Sequence, residues 1–129
     1  MIKALFFDLD GTLLTSGKAI APSSREAILA CREKGVRVYI ATGRSPRLDM
    51  TLGFTLEDLA LFDGGVYCNG ACIHLDGEVR YVCIDPQAVR AVLAEAGRHE
   101  GVHVSLNGEG AEHAFNFVPP DSMMGPWGI

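Results

Sequence analysis

The chain has no uncharged apolar run near the ~20 residues that a bilayer-spanning helix needs. It has no apolar signal core either, because Lys3 is soon followed by Asp8 and Asp10. The expectation is a protein that does not contact a membrane and works in the cytosol. Basic residues are few: 11 Lys+Arg against 16 Asp+Glu, for a net charge of −5. That balance argues against a nucleic-acid partner. Lysine is scarcest, confined to Lys3, Lys18 and Lys34. The cysteines, Cys31, Cys68, Cys72 and Cys83, form no C-x-x-C pair. Cys68 and Cys72 flank an Asn-Gly turn, with His74 nearby. That spacing fits a hairpin with small buried hydrophobes better than a zinc site. Repeats and low-complexity segments are absent too. What remains is a globular composition, 48% hydrophobic and 21% charged in 129 residues. This is one domain, or one domain and part of another.

Residues 2–9 form a near-continuous apolar run that reads as a strand buried on both faces, as in a parallel sheet. It ends at Asp10-Gly11-Thr12. Ser23 and Glu26 have capping-box spacing, and the helix they predict ends at Lys34-Gly35. Val36–Ala41 is a second strand. Ser45-Pro46 then reads as an N-cap with proline at the first helical position, opening a short helix to Leu52. Strand–helix–strand–helix order implies βαβ units. Further on, Leu59–Phe62 and Val66–Cys68 are strand candidates. Asn69-Gly70 and Asp76-Gly77 predict hairpins leading into Cys72–Leu75 and Val79–Ile84. Asp85-Pro86 opens another helix, through Val89, Val92, Leu93 and Ala96. His103–Leu106 and His113–Val118 look like two strands, and Pro119–Ile129 shows no periodicity. A boundary is expected near Ile84, with a core over residues 1–84 and an α+β piece over 85–129.

Asp8 and Asp10 are the chemically telling residues, because Asp8 interrupts an apolar run that an Asp-Gly turn alone would not explain. In open α/β sheets the ligand crevice lies at the C-terminal ends of the strands. Side chains two apart on a strand point the same way, separated by roughly 6–7 Å. Two such carboxylates suit a hard cation such as Mg²⁺, or a division between nucleophile and general acid/base. Gly11 allows the sharp turn and leaves amides open to an anion. Thr42-Gly43-Arg44 ends the second strand in the same crevice, where a hydroxyl, an amide and a helix start suit an anion.

The segment Phe6-Phe7-Asp8-Leu9-Asp10-Gly11-Thr12-Leu13-Leu14 resembles the first signature of the haloacid dehalogenase superfamily. Ala41-Thr42-Gly43-Arg44 resembles its second. Tyr67-Cys68-Asn69-Gly70-Ala71 is similar to the substrate-side element of the Cof-like sugar-phosphate phosphatase branch. The resemblance implies an α/β fold: a Rossmann-like three-layer core with a parallel sheet, and the beginning of an inserted α+β cap. It implies a Mg²⁺-dependent phosphatase acting on a small phosphorylated metabolite. Asp8 would be the nucleophile and would hold Mg²⁺ together with the Asp10 carbonyl. Asp10 would be the general acid and base. Gly11, Thr42 and Gly43 would serve the phosphoryl group, with Arg44 and Asn69 facing the substrate.

Two expected elements of that family have no counterpart here: a lysine after the second motif, and a late acidic pair completing the metal shell. The expectation is therefore an N-terminal portion of such an enzyme with little activity alone. The other reading is a non-catalytic binding or assembly module. The family's sheet places the Asp8 strand centrally, with its second neighbour beyond residue 129. An open edge along Ile2–Leu9 then predicts self-association.

Overall fold

A computed structural model describes residues 2–109 and 113–127, so Gly110 of the expected 107–110 turn lies outside the described residues. Strand β1 spans Ala4–Phe7, α1 Pro22–Glu33, β2 Arg37–Ala41, α2 Leu48–Leu52, α3 Leu56–Leu59 and β3 Gly64–Tyr67. Then follow β4 Cys72–Leu75, β5 Glu78–Tyr81, α4 Pro86–Ala96, β6 Ser105–Asn107, β7 His113–Phe115 and α5 Asp121–Trp127. The main sheet runs β1-β2-β3-β4-β5. Its first two pairings are parallel, with Phe7 beside Ile40 and Ala41 beside Val66. The next two are antiparallel, as the two hairpin signals require. The architecture is the α/β class expected, with a mixed sheet. Strands β6 and β7 form a separate antiparallel pair.

The core lies along β2, where Val38 and Ile40 are essentially inaccessible. Leu9, Ile28, Leu48 and Leu61 close around them. Helix α1 packs on β2, and Asp63 ties the two together. Its carboxylate accepts from the Val38 amide at 2.8 Å and from Arg32 of α1 at 3.1 Å. The edge strand β1 is only half covered, with Phe6 58% exposed, rather than buried on both faces. Tyr39 of β2 stacks on the Phe6 ring at 4.9 Å.

Several local expectations are corrected. Helix α1 starts at Pro22 with Ala21 as N-cap, so Ser23 lies inside the helix and no capping box forms there. Proline's fixed φ suits the first helical position and starts the helix early. Ser45 does not cap α2, whose N-cap is Arg47. Leu59–Phe62 is not a strand. The capping box belongs to Thr55 and Asp58: the Asp58 amide donates to Thr55 Oγ1 at 3.2 Å, and the Thr55 amide donates to Asp58 Oδ2 at 2.8 Å. That reciprocal pair starts α3. Leu61 and Phe62 are apolar because they are buried in the turn beyond it. Finally, the aperiodic tail contains α5, which lies against α2.

Candidate active site

Strand β1 stops at Phe7, and Asp8 continues extended, with φ −70° and ψ 151°. The chain then winds through a wide turn. The Leu13 amide donates to the Asp8 carbonyl at 3.2 Å, and the Leu14 amide to the Leu9 carbonyl at 3.0 Å. Gly11 sits at φ +78°, the left-handed region where a side chain is strained. Leu9, fully buried, anchors the turn. Asp8 and Asp10 therefore share a cavity through this turn, not through strand alternation.

The second wall comes from the end of β2. Thr42 is 7% exposed, and its amide donates to the Val66 carbonyl at 2.9 Å. Its Oγ1 accepts from the Arg44 amide at 3.2 Å, bending the chain toward the cavity. The β3–β4 loop closes over this bend: the Asn69 amide donates to the Thr42 carbonyl at 3.2 Å. A Cβ on Gly43 would stand 3.0 Å from Asn69 Oδ1, so the absence of a side chain at Gly43 admits Asn69.

The cavity, about 520 Å³, is lined by Asp8, Asp10, Thr42, Gly43 and Arg44 together with Ser45, Thr51, Ser105 and Asn107. Asn69 touches the site through Gly43, and Gly11 shapes it from within the turn without lining it. Ser105 and Asn107 reach it from β6, and no local signal marked them. Ser45 Oγ and Thr51 Oγ1 are buried with no hydrogen-bond partner among the described residues. Ser45 was legible only as a helix cap.

The electrostatics centre on Asp10. Arg44 grips it with two donors, Nε to Oδ2 at 2.5 Å and Nη2 to Oδ1 at 2.9 Å. Lys18 Nζ donates to Oδ1 at 2.5 Å. The fold-back that bridges Leu14 to Ile20 delivers Lys18, which sequence reading missed. The Arg44 guanidinium first, and the Lys18 ammonium second, hold the Asp10 carboxyl far below the usual carboxylate range. Asp10 in turn pushes Arg44 up. Asp8 has a lighter engagement: its Oδ2 accepts from Thr12 Oγ1 at 3.2 Å. Away from the carboxylates, burial pushes the Cys68 and Cys72 thiols up, which favours their neutral form.

Comparison with known proteins places this geometry. The sequence pattern of the haloacid dehalogenase-like hydrolases matches residues 5–117. The chain is 34% identical over 106 residues to YkrA of Bacillus subtilis (strain 168), across 80% of this chain and 40% of that protein. It is 38% identical over 72 residues to the pyridoxal phosphate phosphatase YbhA of Escherichia coli (strain K12), across 56% of this chain and 25% of YbhA. Among solved structures, the subclass IIB sugar phosphatase BT4131 superposes with a TM-score of 0.68 at 38% identity, over 83% of this chain and 41% of that one. The chain spans less than half the length of each of these relatives. A family match that runs from the Asp8 turn through the Thr42–Arg44 bend and on to β7 leaves one assignment: the chain belongs to the haloacid dehalogenase-like hydrolases.

Proposed function

We propose that the cavity between the ends of β1 and β2 is the phosphoryl-transfer site of a phosphatase acting on small phosphate monoesters. Sugar phosphates and related metabolites are the substrate class. The carrying observation is the convergence of Asp8, Asp10, Thr42, Gly43 and Arg44 on one cavity. The names of YbhA and BT4131 support a phosphorylated metabolite as substrate. Residues 1–84 serve in this reading as the core and 85–129 as the start of a cap.

In this reading an Asp8 carboxylate oxygen attacks phosphorus, forming an aspartyl-phosphate as the ester P–O bond breaks. Asp10 gives its proton to the leaving oxygen, then takes one from the water that hydrolyses the intermediate. Thr42 Oγ1, the Gly43 amide and Arg44 orient the transferring group, with Asn69 beside them. Asp10 must be protonated for the first step, yet two cations hold it ionised. A dianionic substrate competes for Arg44, and its arrival frees Asp10 and lifts the Asp10 pKa toward the ordinary range. Lys18, on Asp10 without substrate, adds positive charge at the same place.

The donor set fits Mg²⁺. Hard cations take oxygen ligands, and Mg²⁺ keeps several waters beside one or two protein groups. Asp8 has Oδ1 to give, since only its Oδ2 has a partner among the described residues. Both oxygens of Asp10 are committed to cations, so in this reading Asp10 would contribute its main-chain carbonyl. Asp8 Oδ1 and the Asp10 carbonyl would hold Mg²⁺, which would supply neutralisation of the phosphate charge that opposes attack by Asp8. Among the described residues no group of three or more His, Cys, Asp or Glu side chains stands ready for a metal. The shell from this chain is thus a partial one, and weak metal binding follows.

The test is Mg²⁺-dependent binding of inorganic phosphate to the chain, followed by NMR. Wild-type chain is expected to bind. Thr42→Val and Arg44→Ala should each weaken binding about ten-fold, the scale of a lost charge-assisted hydrogen bond. Absence of binding would refute the proposal. The doubly paired Asp10 favours a second reading, a non-catalytic phosphate-binding module, and burst kinetics with p-nitrophenyl phosphate separate the two. Nitrophenolate release, however slow, that Asp8→Asn abolishes supports the enzyme, and none supports the module.

A further inference from the structure

A second cavity, about 600 Å³, opens beside the first and shares Ser45, Ser105 and Asn107 with it. Its chemistry is different. Cys72, Tyr81, Val82, Ile84, Val89 and Leu106 supply its walls. The hairpin β4–β5 forms one side, the start of α4 another, and the pair β6–β7 the third. Ile84 is 69% and Val82 52% exposed, so this trough presents large apolar side chains to water. Such surface gains free energy when covered. Its polar lining comes from Ser45, Ser105 and Asn107, where it meets the first cavity, and from Tyr81, Glu109 and His113. Glu109 Oε1 accepts from the Cys83 thiol at 3.5 Å.

We propose that this trough receives the organic part of the phosphate ester and selects a flat apolar or aromatic ring over a polyhydroxylated sugar. The inference rests on the first cavity being the phosphoryl site, and within the class given above it sets ring-bearing metabolites ahead of sugar phosphates. Continuity is the first argument: a phosphate held by Thr42, Gly43 and Arg44 has its ester oxygen free to project past Ser45 into the trough. Wall chemistry is the second. Sugar hydroxyls laid on Val82, Ile84, Val89 and Leu106 lose water and find few donors or acceptors in exchange, which costs affinity. A ring loses nothing polar and covers the exposed Ile84 and Val82. Charge is the third, because the Glu109 carboxylate disfavours a second anionic group in the trough.

The experiment uses the 129-residue chain in millimolar Mg²⁺. Three probes are titrated by NMR: inorganic phosphate, glucose 6-phosphate, and benzylphosphonate, whose C–P bond resists hydrolysis. Benzylphosphonate should bind about ten-fold tighter than phosphate, the return from partly burying one phenyl ring. Glucose 6-phosphate should bind no tighter than phosphate. Ile84→Asn and Leu106→Asn should each shrink the benzyl advantage while leaving the phosphate affinity unchanged. Ile84 is too exposed for its replacement to unfold the chain. Phosphate binding with no benzyl advantage, with an equal gain for glucose 6-phosphate, or with an advantage untouched by both variants overturns the inference alone. Failure of phosphate itself to bind overturns the phosphoryl-site reading and the inference with it.

Discussion

At the residue scale the site turns on two aspartates in unequal environments. Asp8 keeps a carboxylate oxygen uncommitted, whereas Asp10 is bound by Arg44 and Lys18. Asp8→Asn preserves shape and removes both the proposed nucleophile and a proposed metal ligand. Any p-nitrophenyl phosphate turnover should fall by more than about ten-fold in that variant, and a smaller loss contradicts the assignment. Asp10 yields a pH prediction. Its folded-state pKa lies below its unfolded value, so it stabilises the fold above about pH 4, the ordinary carboxylate pKa. That contribution is lost as pH falls further below 4. It is small, because the Asp10 side chain is 38% exposed and solvent screens the pair. Arg44→Ala removes the larger cause, so the Asp10 titration midpoint, read from the carboxyl carbon shift by NMR, should move up toward the ordinary value. An unmoved midpoint would show that Lys18 alone holds the charge.

At the element scale the two hairpins and the loop between β3 and β4 decide where Asn69 and the trough stand. Gly64 opens β3 at φ +151°, and a Cβ there would lie 2.3 Å from the His74 carbonyl of β4. Backbone meets backbone, so no side-chain rotation can relieve the clash. Gly64→Ala should cost about 3 kcal/mol or more, measured by urea unfolding, and a loss under about 1 kcal/mol would mean that the β3–β4 pairing shifts at little cost. The turns of this meander were legible because they demand positive φ. Asp76 and Gly77 stand at +51° and +82°, and Asn69 and Gly70 at +55° and +102°. The capping boxes were harder to read. Ser23–Glu26 and Thr55–Asp58 have the same spacing, and only the second forms, because Pro22 had already started α1. Spacing shows that a cap could exist, and the neighbouring residue decides whether it does.

At the scale of the whole molecule the sheet leaves β1 as an edge, with Ile2 68% and Phe6 58% exposed. Unpaired amides and carbonyls flanked by apolar side chains are a template for another strand. Helix α5 folds back onto α2 and leaves β1 uncovered, so it does not remove this liability. The chain should therefore self-associate. Light scattering after size exclusion at high micromolar concentration should give a mass above the 13.8 kDa of one chain, and a clean monomer would refute edge pairing. Turnover of this chain should also be far below ordinary enzymes. A phosphate monoesterase must lower its barrier by ~20 kcal/mol or more, and in the proposed site this chain would give a metal only one carboxylate and one carbonyl. Enzyme-like rates lost in Asp8→Asn would contradict that.

Order along the chain was enough to determine the α/β class, the two hairpins, the helix opening at Asp85-Pro86 and the aspartate and Thr-Gly-Arg segments. These depend on contacts between near neighbours, on the φ that Gly, Asn and Pro allow, and on a charge placed inside an apolar run. Tertiary structure decided the rest, because it depends on residues far apart in sequence. Lys18 reaches Asp10 only through the fold-back of Leu14 onto Ile20. Arg44 meets Asp10 across 34 positions because β1 and β2 lie side by side in parallel. Ser105 and Asn107 line the cavity, and the apolar trough exists, only because β6–β7 comes to rest beside the end of the sheet. No local pattern encodes that approach: it follows from which surfaces are left to bury once each element has formed.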